Sequence, residues 1–185
     1  MTLIILDRDG VINQDSDDYI KSAQEWQPIP GSIDAIARLC RAGYRVAVAT
    51  NQSGLGRGLF DLDDLEAIHD KMRELVESAG GHIAGIYYCP HLPAAGCNCR
   101  KPAPGLLDAI AEDFSTPLTN VVFIGDSLKD LQAGVARRCR PILLRTGKGA
   151  AYEKQLADET NVLIRSAQVY DDLSSAVDSL LEERN

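Results

Sequence analysis

Short, continuous apolar runs alternate along this chain with longer stretches in which apolar residues recur every three or four positions. Leu3-Ile4-Ile5-Leu6, Val46-Ala47-Val48-Ala49, Ile83 to Tyr88, Val121 to Ile124 and Pro141 to Leu144 are the runs. They are too short for helices and continuous rather than alternating, which fits strands buried on both faces of a parallel sheet. Between them, Ile33, Ile36, Leu39 and Cys40 form a helical stripe behind Ser32, which reads as its N-cap, with Gly43 as its stop. Asp61 opens a longer helix with Leu62, Leu65, Ile68, Met72, Leu75, Val76 and Ala79 on one stripe, closed by Gly80-Gly81. Pro104 suits the first turn of a helix whose apolar face is Leu107, Ile110, Ala111 and Phe114. A small-residue helix follows Asp126, and Asp171 or Asp172 starts a last one with Leu173, Val177, Leu180 and Leu181 inward. Val162 to Ile164 reads as a short edge strand, and residues 12–30, broken by Trp26, Pro28 and Pro30, as irregular chain. The strand–helix alternation predicts a three-layer α/β fold, a central parallel sheet covered on both faces.

Composition narrows the class. The 185 residues, 45% hydrophobic and 25% charged, fit one soluble globular domain spanning 1–185. No apolar run approaches the roughly 20 residues of a membrane span. The N-terminus enters a strand without a basic region or cleavage signal, so a cytoplasmic location is expected. The net charge of −8 argues against nucleic-acid or anionic-membrane partners. An anionic small substrate then requires a local basic cluster. Cys40 and Cys139 stand alone in apolar segments and read as small buried residues, and His69 as a packing or surface histidine.

The candidate chemistry sits at the ends of the predicted strands. Asp7 and Asp9 follow the first, Thr50 and Asn51 the second, and Asp126 the fourth. The carboxyl ends of parallel strands share one edge, where open α/β sheets hold their ligands. Two carboxylates as close as Asp7 and Asp9 repel unless a cation joins them, and Mg²⁺ is the natural oxygen-binding candidate. Arg100-Lys101-Pro102 adds two cations. Three acids, a hydroxyl and two basic groups suit phosphoryl transfer. Cys89, His91, Cys97 and Cys99 form a C-x-H-x5-C-x-C loop directly before Arg100. Three thiolates and one imidazole suit a closed, structural Zn²⁺ site, which would fix where Arg100 and Lys101 point.

The order Asp-x-Asp-Gly, strand-Thr-Asn, Lys-Pro, then Gly-Asp-Ser-x-x-Asp, over positions 7 to 130, resembles the haloacid dehalogenase superfamily of phosphatases. The resemblance implies a Rossmann-like fold, Asp7 as nucleophile and Asp9 as general acid/base. It implies that Thr50 and Lys101 hold the transferring phosphoryl group. Mg²⁺ would be bound by Asp7, Asp126 and the Asp9 carbonyl, and Asp130 would hold Lys101 or the metal's waters, or else be only a helix first-turn acid. Neither residues 11–45 nor 58–100 has room for a large cap, so an essentially capless enzyme is expected, its substrate chosen by loops.

The zinc loop followed by Arg-Lys-Pro resembles two branches of that superfamily. One removes the C7 phosphate of D-glycero-D-manno-heptose 1,7-bisphosphate, towards ADP-heptose and lipopolysaccharide, and the other acts on histidinol phosphate. Asp7 to Val11, the Thr50 to Gly58 stretch and Tyr19…Trp26 resemble the heptose branch more. A phosphorylated sugar is therefore the expected partner of a chain acting as a monomer. The substrate-binding candidates are Asp15, Asp18, Asn51, Gln52, Ser53, Arg57 and Arg100. Arg100 would read the distal C1 phosphate and Asp15 to Asp18 the hydroxyls, and Lys129 and Lys148 could add positive potential. A DNA 3′-phosphatase has similar motifs but needs a basic groove, which the net charge disfavours.

Overall fold

A computed structural model describes residues 2–183. Six parallel strands, β1 (Thr2–Leu6), β2 (Tyr44–Asn51), β3 (Ile83–Cys89), β4 (Val122–Gly125), β5 (Arg140–Leu144) and β6 (Gln168–Tyr170), lie in the order β3-β2-β1-β4-β5-β6. The helices are α1 (Ser32–Arg41), α2 (Ser53–Gly56), α3 (Leu62–Ser78), α4 (Gly105–Asp113), α5 (Leu128–Ala136), α6 (Gly149–Glu153), α7 (Val162–Arg165) and α8 (Leu173–Glu182). The strand order reverses between β1 and β4, and such a switch point opens a crevice at the strands' carboxyl ends.

The pleat explains why the runs are continuous. Ile4 and Leu6 of β1 point to one face, into a core shared with Ile36, Leu39, Ile68, Met72 and Val177 of α1, α3 and α8. Leu3 and Ile5 point to the other, against Leu106, Leu107, Ile110 and Ala133 of α4 and α5. Asp61 caps α3 through a reciprocal pair with Asp64, and Asp172 caps α8. Cys139 is buried and Cys40 half-buried.

Three local expectations are corrected. The N-cap of α1 is Gly31 in the left-handed region, because the Ser32 hydroxyl donates instead to the Ile12 carbonyl at 2.6 Å and ties the 12–30 segment to the helix. Leu62 is 53% exposed, one helical turn before Leu65, the first residue of the α3 stripe to be buried. Val162 to Ile164 is a helical turn, not a strand. The Asn161 side chain accepts from the Leu163 N–H and starts that turn, and the edge strand falls at Gln168–Tyr170 instead.

No helix among the described residues is long and apolar enough to cross a membrane.

Candidate active site

Asp7 begins where β1 ends, and its N–H continues the ladder to Ile124 O at 2.9 Å. The chain must then turn sharply beneath β4. Gly10 makes that turn at φ +80°, and a Cβ there would lie 2.1 Å from Asp126 Oδ2. Thr146 Oγ1 donates to the Gly10 carbonyl at 2.6 Å, and the Lys148 N–H donates to Asp126 Oδ2 at 2.9 Å. The ends of β1, β4 and β5 are thereby laced around one point.

Lys101 reaches the same point from the loop after β3 and is 2% exposed. Its Nζ donates to the Ala49 carbonyl at 2.8 Å and lies 2.8 Å from Asp7 Oδ1 and 2.6 Å from Asp130 Oδ1. Asn51 sets the Lys101 backbone, accepting its N–H at 3.0 Å and donating to its carbonyl at 3.1 Å. The other Asp130 oxygen accepts from Ser127 N and Oγ in a capping box at the start of α5. Of the readings expected for Asp130, its contacts match two at once: one oxygen faces Lys101 and the other caps the first turn of α5. Its carboxylate also stands in one cluster with those of Asp7 and Asp126, ligand atoms within 4.8 Å of one another. Three close carboxylates are a hard-oxygen donor set of the kind Mg²⁺ takes.

The charges in this cluster are strained. Burial, then the neighbouring Asp130, pushes the Asp7 carboxyl well above its ordinary range despite Lys101. The same two causes push Asp126 up to about 7. Burial acts against the Lys101 charge, but Asp130 and Asp7 outweigh it and hold the ammonium above its usual range.

Asp9 is treated differently. Arg8, whose side chain is 0% exposed, donates to both Asp9 oxygens, from Nη2 at 2.9 and 3.0 Å and from Nε to Oδ1 at 3.1 Å. Asn13 Nδ2 donates to Oδ1 at 2.8 Å and Gln52 Nε2 to Oδ2 at 2.7 Å. Burial opposes the Asp9 charge, but Arg8 and these two amides overcome it and hold the carboxyl below its ordinary value. Gln52 Nε2 also donates to Thr50 Oγ1 at 2.9 Å, linking the acid to the hydroxyl.

These groups open into a cavity of about 280 Å³. Asp7, Asp9, Thr50, Asn51, Gln52, Ser53, Lys101 and Asp126 line it, as do Asp15, Arg100, Lys129 and Lys148. Lys148 pairs with Asp15 at 3.4 Å and Asp17 at 3.0 Å. Two expected residues lie off the cavity wall. Asp18 is exposed, and Arg57 lies over the Tyr19 ring at 5.8 Å, so that it backs a lining residue.

The four candidate zinc ligands converge. Cys99 Sγ lies 3.2 Å from both His91 Nδ1 and Cys89 Sγ, and 3.5 Å from Cys97 Sγ. Four ligands tetrahedral about Zn²⁺ would be separated by about 3.6–3.8 Å, so the cluster suits such a cation with little adjustment. All its cysteines are free thiols. Arg100 Nη1 donates to the His91 carbonyl at 3.4 Å, which ties the cluster to the cavity wall.

The family model for haloacid dehalogenase-like hydrolases matches residues 1–136, a span that includes Asp7, Asp9, Thr50, Lys101, Asp126, Asp130 and the four cluster ligands. The chain belongs to that family. A second, HAD-hydrolase-like model covers residues 98–176. The chain is 52% identical over 182 residues to a D-glycero-beta-D-manno-heptose-1,7-bisphosphate 7-phosphatase of Pseudomonas aeruginosa, covering 98% of both proteins. It is 50% identical to the enzyme of the same name from Neisseria meningitidis serogroup A, over 99% of this chain and 96% of the relative. The crystal structure of the D,D-heptose 1,7-bisphosphate phosphatase from B. bronchiseptica, complexed with magnesium and phosphate, superposes with a TM-score of 0.92 at 49% identity over 99% of each chain. The fold of this hydrolase is thus the Rossmann-like one expected from its motifs, and the chain is a phosphoric monoester hydrolase.

Sequence reasoning missed several residues that line this hydrolase's cavity or brace its walls. Arg8 lies between two acids, where a cation reads as solvated, and is instead buried. Asn13 lies in a segment taken as irregular and braces Asp9. Ser127 and Tyr152 line the cavity as well; Ser127 stands inside the Gly-Asp-Ser-x-x-Asp motif with no role assigned to it, and no motif marks Tyr152. His69 is the packing residue expected, at 1% exposure, with Nε2 3.4 Å from Arg8 Nη1. Burial, then the charge of Arg8, pushes its imidazole down to about 3.

Proposed function

We propose that this hydrolase removes the C7 phosphate of D-glycero-β-D-manno-heptose 1,7-bisphosphate through an aspartyl-phosphate on Asp7. The observation that carries the reading is a division of cations. Lys101 is committed to Asp7 and Asp130, whereas Arg100 lines the same cavity and its guanidinium, among the described residues, bonds only a backbone carbonyl. A bisphosphate needs one cation at the reacting phosphoryl group and a second for the other phosphate, and a guanidinium suits the latter. The names carried by the relatives agree with this substrate.

Asp7 and Asp126, with the Asp9 main-chain carbonyl, would hold Mg²⁺, and Asp130 stands close enough to orient its waters. When bound, the ion neutralises charge on the phosphoryl oxygens and orients them for in-line attack. Thr50 and Lys101 anchor those oxygens. An Asp7 oxygen bonds to phosphorus, the bond from phosphorus to the C7 oxygen breaks, and its electron pair leaves with that oxygen. Asp9 supplies the proton the alkoxide needs. In the resting site Asp9 is held ionised, so it takes that proton from solvent when the substrate's negative charge arrives beside it. Water then attacks phosphorus as Asp9 receives its proton, the bond from phosphorus to the Asp7 oxygen breaks with its electron pair returning to the carboxylate, and phosphate departs.

The four-ligand cluster would hold structural Zn²⁺, keeping Arg100 and Lys101 in place. The 185 residues act as one phosphatase domain without a large cap, as a monomer in the cytoplasm, upstream of ADP-heptose and lipopolysaccharide. The experiment is phosphate release from heptose 1,7-bisphosphate beside histidinol phosphate, with Mg²⁺ present. A large kcat/KM preference for the heptose bisphosphate is expected, and a preference for histidinol phosphate overturns the substrate assignment.

A further inference from the structure

The Arg8 guanidinium has no exposure, yet it neither lines the cavity nor bonds Asp7, Lys101 or Asp126. Among the described residues its polar contacts go to two, Asp9 on one side and His69 on the other. An arginine has only donors, so at 3.4 Å His69 Nε2 must be the acceptor. That requires a neutral imidazole with its proton on Nδ1, which faces Glu66 Oε1 at 3.7 Å. The ring is held in turn, tilted against Tyr88 with centroids 5.9 Å apart. His69 stands on α3, in the middle of the helix, far in sequence from every motif of the reaction centre. A buried arginine fixed at both ends is a rigid strut between that helix and the Asp9 carboxylate.

We propose that His69 and Arg8 are positioning residues that set the direction of the Asp9 carboxyl and so govern its transfer of a proton to the leaving oxygen. The assignment rests on the reading of Asp9 as proton donor given above. It separates two classes of substrate. A sugar phosphate leaves as an alkoxide and needs that proton as the ester bond breaks. p-Nitrophenyl phosphate leaves as a stabilised phenolate and does not. Because kcat/KM reports only the steps up to the first irreversible one, transfer to Asp7, the comparison is independent of the later attack by water.

The test measures kcat/KM on heptose 1,7-bisphosphate and on p-nitrophenyl phosphate for the full chain with Mg²⁺, in wild type, His69→Phe, His69→Gln, Arg8→Lys and Asp9→Asn. His69→Phe keeps a ring but removes the acceptor. It is expected to lower kcat/KM on the alkyl ester about 10- to 100-fold while p-nitrophenyl phosphate stays within about threefold. Arg8→Lys, which cannot span both Asp9 oxygens as a fork, gives the same selective loss. His69→Gln, whose carboxamide oxygen can accept in place of Nε2, restores most of the alkyl activity. An equal loss on both substrates, or an unchanged ratio, in His69→Phe overturns the positioning role. If Asp9→Asn also leaves the ratio unchanged, the Asp9 reading fails and takes the proposal with it. If Asp9→Asn collapses the ratio and His69→Phe does not, only the positioning role is lost.

Discussion

Replacing Lys101 by methionine tests how the carboxylate cluster is held together. The ammonium is 2% exposed and stands 2.8 Å from Asp7 Oδ1 and 2.6 Å from Asp130 Oδ1. Methionine fills similar space without charge, so the two carboxyls lose their shared cation in a buried site. Removing one partner of a buried ion pair costs about 3–5 kcal/mol, and the Ala49 carbonyl also loses its donor. The loss should depend on pH. The Asp7 carboxyl already sits well above its ordinary value, and without Lys101 it rises further. A folded-state pKa above the unfolded one means the native protein holds a proton that the unfolded chain has released, so stability falls as pH rises through that window. Lys101→Met should therefore lose more at pH 8 than at pH 5. The assay is urea unfolding of the metal-free protein at both pH values, then with Mg²⁺ added. Mg²⁺ at about 100 times its dissociation constant should return about 2.7 kcal/mol. A loss below about 1 kcal/mol at pH 8, or one equal at both pH values, refutes the reasoning, since surface pairs cost no more than that.

Three further outcomes follow from the same geometry. Asp126, raised to about 7 by burial and Asp130, should make the metal-free protein lose about 2–4 kcal/mol of stability between pH 4 and pH 7, and Mg²⁺ affinity should strengthen over the same range; titration calorimetry showing pH-independent Mg²⁺ binding would contradict this. Removing zinc, verified by elemental analysis, should raise KM or lower kcat by displacing Arg100 and Lys101, and full activity in a zinc-free sample would contradict the cluster's positioning role. Arg100→Met should raise KM for a sugar bisphosphate about 10- to 100-fold, the value of a charge-assisted hydrogen-bonded contact, while leaving kcat/KM for a sugar monophosphate nearly unchanged; equal losses on both would show that Arg100 serves the reacting phosphate.

The strands were legible because burial on both faces leaves a continuous apolar run, and the chemistry because each strand end carries its polar residue in order. Short segments were not. Val162 to Ile164 offers three apolar residues, too few to show a period, and the Asn161 cap settles it as a helical turn. Ser32 carries the right side chain for an N-cap, but a long-range acceptor at Ile12 claims its hydroxyl. Within the site, the sequence marks which residues carry chemistry but not what each touches. Asn51 reads as a substrate contact, and its amide is engaged with the Lys101 backbone. Gln52 spends its donors on Asp9 and Thr50. Arg57, in the same Thr50 to Gly58 stretch, lies over Tyr19, off the cavity wall. Partners such as Lys101 and Asp130, or Arg8 and His69, are joined by the crossing of elements over the sheet, and no local spacing encodes that.

The central claim is that Asp7 carries the phosphoryl group, and rapid quench tests it most directly. The protein is mixed with heptose 1,7-bisphosphate labelled in its C7 phosphate and quenched in acid during turnover. The expected result is protein-bound label that survives acid, is released by hydroxylamine as an acyl phosphate is, and maps to Asp7. It should be absent from Asp7→Asn, which stays folded without turnover. Turnover at the wild-type rate in Asp7→Asn, or label mapping to another residue, contradicts the account.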